Sequence, residues 1–184
     1  MAALVAALLT QASDRTPWLT AILATRFARP GAIILGTALA LAIGNAAAAA
    51  FGAYLAPRIP PAGRDLLLAF TLLSAGGSAL FPIKLKNRLD GWKIGPLLTS
   101  LFGVLTLAVG DRTQFITFAL AVRSPVPALA AIGATIGALA VNIPAILYGE
   151  DGRRALPVVQ TRIAIGIVLL IVGAILAFSA LGLI

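Results

Sequence analysis

Two copies of one charged tripeptide stand inside otherwise apolar sequence, Asp14-Arg15-Thr16 and Asp111-Arg112-Thr113. A carboxylate beside a hydroxyl offers oxygen ligands to a hard cation, or a seat for a proton, and the adjoining guanidinium offers countercharge. Ionisable groups at membrane depth are costly, so they mark a functional site by default. On a continuous helix, residues three and four apart share a face. Asp14 is therefore expected to stand with Thr10 and Gln11, and Asp111 with Gln114. Pro17 has no N–H and would free the carbonyl of Ser13, and Pro144 would free that of Ala140, close to Asn142. Carbonyls released by broken helices are oxygens that transporters present to cations. The competing structural reading pairs each aspartate with the other copy's arginine, Asp14 with Arg112 and Asp111 with Arg15, as a clamp. Arg26 and Arg123 lie at segment ends and read as snorkelling anchors.

The elements that must position these groups repeat as well. Moving 97 residues along the chain carries Asp14 to Asp111, Thr20 to Thr117, Pro30 to Pro127, Gly36 to Gly133, Asn45 to Asn142 and Gly76 to Gly173, without a gap. The sequence is an internal duplication. Of 184 residues, 60% are hydrophobic and 11% charged, with a mean hydropathy of +1.04. A soluble domain would carry about a quarter charged residues, so the chain reads as an integral membrane protein. Six segments, near 3–27, 31–56, 64–82, 96–122, 126–148 and 159–182, approach the roughly 20 apolar residues a span needs. The first carries one motif copy and no basic leader, so it reads as a span, not a removed signal. The expected fold is an all-α membrane protein of six transmembrane helices. Residues 1–83 form one three-helix repeat, 84–95 a basic cytoplasmic linker and 96–184 the second repeat. Three spans per repeat is an odd number, so the second copy enters the membrane inverted. Gly133 with Gly137, and Gly36 with Ala40, supply the small side chains that helices need for close packing in lipid.

The net charge of +8 would suggest nucleic acid in a soluble protein, but here the basic residues sit in short loops and report topology. Arg26, Arg29, Lys84, Lys86, Arg88, Lys93, Arg153, Arg154 and Arg162 fall on one side, against Arg58, Arg64 and Arg123 on the other. The positive-inside rule makes the first side cytoplasmic and leaves both termini outside, and the expected location is a bacterial inner membrane, crossed several times. With no Cys and no His, thiol chemistry and the usual zinc, copper or haem ligands are excluded, leaving oxygen ligands for hard cations.

The doubled motif resembles the six-helix family of calcium and manganese transporters, cation/proton exchangers that carry two copies of E-φ-G-D-[KR]-[ST]. Here the copies read Gln11-Ala12-Ser13-Asp14-Arg15-Thr16 and Ala108-Val109-Gly110-Asp111-Arg112-Thr113, followed by Gln114. The resemblance implies an ion site at Asp14, Thr16, Asp111 and Thr113, with Asp14 and Asp111 as metal ligands. Gln11 and Gln114 are neighbours able to offer a carbonyl, while Arg15 and Arg112 pair charge or gate. Both family glutamates are missing, at Gln11 and Ala108. Two aspartates and two arginines sum to zero formal charge, so divalent affinity is expected to be weakened. The resemblance implies a transporter of manganese or calcium, with protons as exchange partner. The sequence also admits a carrier of a small anion or zwitterion held by the two guanidinium groups, or a membrane scaffold whose motif has decayed. Enzymatic chemistry is not expected, because no nucleophile–base pair or cofactor motif is present. The partners expected are the bilayer and a transported metal ion or small solute. No resident cofactor and no nucleic acid is expected, and a homo-oligomer is compatible with the sequence.

Overall fold

The computed structural model describes residues 1–81, 92, 94–154 and 158–183, and there the chain is helical without strands. Most of the basic linker 84–95, with Lys84, Lys86, Arg88 and Lys93, lies outside the described residues. Eight α-helices follow in order: α1 (Ala2–Ala12), α2 (Thr16–Phe27), α3 (Pro30–Leu55), α4 (Pro61–Leu80), α5 (Pro96–Ala108), α6 (Arg112–Arg123), α7 (Pro127–Arg154) and α8 (Val158–Ala180). A 3₁₀ turn, Ala56–Arg58, closes α3. Prolines open α3, α4, α5 and α7, where the missing N–H costs nothing because the first helical donors have no partner within the helix.

The structure refines the two motif-bearing segments, expected as spans near 3–27, disturbed at Pro17, and 96–122. Each divides into two half-helices at the motif itself, at 13–15 and at 109–111. In the second copy Val109 is extended, Gly110 has φ of 80° and Asp111 is the N-cap of α6, with its side chain accepting from the Arg112 N–H. Left-handed backbone suits glycine, and aspartate is a strong capping residue, so this tripeptide stops one helix and starts the next. In the first copy α1 closes on Ser13, and Pro17 falls in the first turn of α2. Pro144, in contrast, sits inside α7 without breaking it; the non-helical residue of that element is Gly149.

The two halves embrace. α1 packs on α7 and its counterpart α5 packs on α3, while α2 lies on α7 and α6 on α3. α3 crosses α7, and α4 crosses α8. Each half's broken helices are therefore held by the other half's long helix. Glycine allows the close approaches, as expected: a β-carbon at Gly137 would fall 2.3 Å from the Leu4 carbonyl oxygen of α1, and one at Gly36 would fall 2.5 Å from that of Leu97 in α5.

Side-chain distribution runs opposite to that of a soluble protein. Large apolar residues such as Leu35, Ile43, Ile132, Ile171 and Phe178 point outward, while the buried interior is rich in alanine and holds Thr10, Gln11, Thr20, Asn45, Thr117 and Asn142. Such a surface fits hydrocarbon, and its interior must satisfy its own hydrogen bonds. Three helical stretches, Pro30–Arg58, Pro127–Gly149 and Val159–Ala180, are each long and apolar enough to cross a membrane, and α1 and α5 are shorter apolar helices. At one end of the molecule Arg123, expected to snorkel, pairs with Asp65 at 2.9 Å, and Arg64 caps the end of α3 by donating to the Ala56 carbonyl at 2.7 Å.

Candidate ion site

Both motif breaks face a common cavity of about 500 Å³, lined by Asp14, Arg15, Asp111 and Arg112, with Ser78 of α4 and Thr106 of α5 completing the polar wall. Asp14 is buried, Asp111 and Arg112 are half-buried, and Arg15 is exposed. Each aspartate lies just ahead of a helix N-terminus, Asp14 before α2 and Asp111 before α6, where the aligned peptide dipoles favour negative charge. Asp14 accepts from Thr16 Oγ1 at 3.0 Å. Asp111 accepts from the Arg112 N–H at 2.7 Å and from Gln11 Nε2 at 3.3 Å.

The end of α1 and the start of α6 are laced together behind the cavity. Thr10 and Thr113 hydroxyls share a hydrogen bond of 2.9 Å, and Gln11 Nε2 donates to Thr113 Oγ1 at 3.0 Å. Asn142 of α7 donates to Gln11 Oε1 at 3.0 Å and accepts from Thr20 Oγ1 at 3.3 Å. Gln11 is thus fixed with its N–H groups toward Asp111 and its carbonyl toward α7, so in this arrangement it supports the carboxylate. In the other half Thr117 Oγ1 donates to the Thr113 carbonyl at 2.7 Å and lies 3.5 Å from Asn45 Oδ1, the counterpart of the Thr20–Asn142 contact.

The structure brings Asp14, Asp111, Arg15 and Arg112 to one cavity, with Thr16 and Thr113 bonded directly behind it. Gln114 faces elsewhere. Its amide lies against Gly44 of α3, where an added β-carbon would fall 2.1 Å from Nε2, and it lines a separate 180 Å³ cavity. The interlocked clamp is not formed: among the described residues neither aspartate makes an ion pair within 4 Å with either motif arginine. Arg112 Nη1 instead makes a long 3.4 Å contact with Ser13 Oγ. Two acids and no third acidic, His or Cys ligand form the anionic set among the described residues. Any cation held here would complete its shell with hydroxyl, carbonyl and water oxygens, as hard cations do.

Residues 1–87 and 96–183 match the family described as divalent cation/proton antiporter GDT1. The chain belongs to that family. It is a membrane transporter of cations, not an enzyme. Over 150 residues the antiporter is 29% identical to a Vibrio cholerae serotype O1 protein named "Putative manganese exporter", covering 81% of this chain and 75% of that protein. No solved structure matches the chain.

Sequence reasoning marked the antiporter's aspartates but did not assign Asn142, Thr20, Asn45 and Thr117 to the site. Their signal was present, since Thr20 with Thr117 and Asn45 with Asn142 obey the 97-residue offset. Ser78 and Thr106 carry no such mark.

Proposed function

We propose that this antiporter moves manganese out of the cytoplasm of a bacterial cell in exchange for protons, with Asp14 and Asp111 as the alternating ligands of the two. What supports the reading most is the convergence of both carboxylates on one polar cavity at the two helix breaks. The relative named for manganese export favours that ion, and calcium, equally hard, is the second candidate. In this reading α1 with α2, and α5 with α6, each cross the membrane as one broken span, giving six spans in two inverted repeats. The termini then lie outside and the basic linker inside.

Charge sets the operating conditions. Two aspartates and two arginines leave no net negative charge to receive a divalent ion, so binding requires one guanidinium to retreat toward water. Arg15, exposed at the cavity wall, is placed to do so, and Thr16 and Thr113 hydroxyls assist the carboxylates. Deprotonating the aspartates as the cation arrives, and protonating them as it leaves, couples the two fluxes.

The test is flux in proteoliposomes. Mn²⁺ movement driven by an imposed pH gradient, and lost in Asp111→Asn, is the expected result. A folded protein that passes neither Mn²⁺ nor Ca²⁺ under any gradient would overturn the reading.

A further inference from the structure

A second cavity, of about 230 Å³, adjoins the ion site and shares Ser78, Gly110 and Arg112 with it. The rest of its wall is mixed, with Thr71 and Ser74 of α4 beside Phe70 and Ala75 of the same helix and Phe115 of α6. Thr71, Ser74 and Ser78 are three and four residues apart, so they form one row along α4. At about 1.5 Å of rise per residue that row carries a polar surface roughly 10 Å beyond Ser78. Two of the three hydroxyls are oriented: Thr71 donates to the Leu68 carbonyl at 2.8 Å and Ser78 to the Ala75 carbonyl at 3.0 Å. With those protons spent on the helix's own backbone, the oxygens present lone pairs to the cavity, the polarity that suits a partly hydrated cation. Arg112 stands at the junction of the two cavities. A guanidinium facing hydrocarbon is costly, which favours water in the space it borders.

We propose that the hydroxyl row of α4, running from Ser78 at the wall of the aspartate cavity to Ser74 and Thr71 beyond it, is the second leg of the ion path, with the Arg112 side chain at the junction. The inference rests on the cation-transport reading above and extends it. An ion leaving Asp14 and Asp111 passes Arg112 only when that side chain moves, so the arginine separates the two sides of the membrane and the row receives the ion beyond it. Ser74 lends an oxygen to the partly hydrated ion on its way between water and the aspartates, so it acts on binding more than on turnover.

The chain has no cysteine, so Ser74→Cys and Ser78→Cys each introduce a single thiol. In proteoliposomes a charged, membrane-impermeant methanethiosulfonate reagent, supplied to both faces, is expected to modify both thiols, and Mn²⁺ to slow both reactions. Adding Arg112→Gln should raise the rate at Ser74→Cys severalfold. Ser74→Ala should raise KM for Mn²⁺ severalfold with kcat and the yield of folded protein unchanged, and Ser74→Thr should restore it. A Ser74→Cys thiol that reacts only with a lipid-soluble maleimide would place this row against lipid and overturn the path while leaving the transport reading intact. An unchanged KM in Ser74→Ala would overturn it equally. Water-accessible thiols in a protein that moves neither Mn²⁺ nor Ca²⁺ would instead defeat the cation reading, and the assignment of this path to a cation with it.

Discussion

Asp14 and Asp111 share a cavity but not a set of partners. Asp111 is braced by Gln11 and the Arg112 N–H, whereas Asp14 relies on Thr16. Replacing either by asparagine removes negative charge while keeping shape. Each variant is expected to elute as folded protein and to lose Mn²⁺ flux by at least about tenfold, the scale of one charged ligand or hydrogen bond of about 1.5–3 kcal/mol. Flux retained by both would deny the aspartates their role. Asn142→Ala tests the support behind them, because it strips Gln11 Oε1 of its donor in a fully buried place and leaves Thr20 Oγ1 only the Pro17 carbonyl to bond. A loss of about 1–3 kcal/mol is expected, read as a lower unfolding temperature in detergent. Thr20→Ala should cost less, since it deletes one donor of the network and leaves Gln11 paired.

Two half-helix junctions and several glycine contacts decide whether the elements fit. Gly137 lies so close to α1 that an added methyl would meet the Leu4 backbone, whereas Gly31 faces open space. Gly137→Ala is expected to destabilise by about 1–3 kcal/mol, because backbone cannot turn aside as a side chain can. Gly31→Ala should be neutral or slightly stabilising, alanine being the better helix former. Thermal unfolding of the two variants side by side checks the contrast, and equal shifts would contradict the packing of α1 on α7. Gly110 differs from both: it has room for a β-carbon, but its φ of 80° is unfavourable for other residues. Gly110→Ala should cost about 1–2 kcal/mol by backbone strain alone and weaken Mn²⁺ transport through the Asp111 cap beside it.

Contacts between halves hold the whole molecule together: α1 on α7, α5 on α3, α4 on α8. The broken helices pack mainly on the other half, so the first half alone would leave buried Gln11 without Asp111, Thr113 and Asn142. The six inverted spans proposed above predict that both termini emerge on the same, non-cytoplasmic side. Reporter enzymes active only outside the cytoplasm, fused at either end, should both be active. Activity at one end alone would require an odd number of spans and break the inverted pairing of the repeats.

The duplication, the membrane class and the two aspartates were legible in residue order, because they depend on composition and on an offset that needs no coordinates. Pro30, Pro61, Pro96 and Pro127 likewise announced where helices begin, since proline's missing N–H acts locally. The first break was hinted at by Pro17, but the break at 109–111 was not read, because apolar residues continue on both sides and a helical period fits either half. The lattice joining Thr10, Gln11, Thr113, Thr20 and Asn142 was also beyond reach, its bonds spanning up to 131 residues of chain. Only the embrace of the two halves decided those partners, as it decided that Gln11 supports Asp111 while Gln114 turns toward α3. Sequence names the groups that can carry charge; packing chooses which of them share a dry wall and which open onto water.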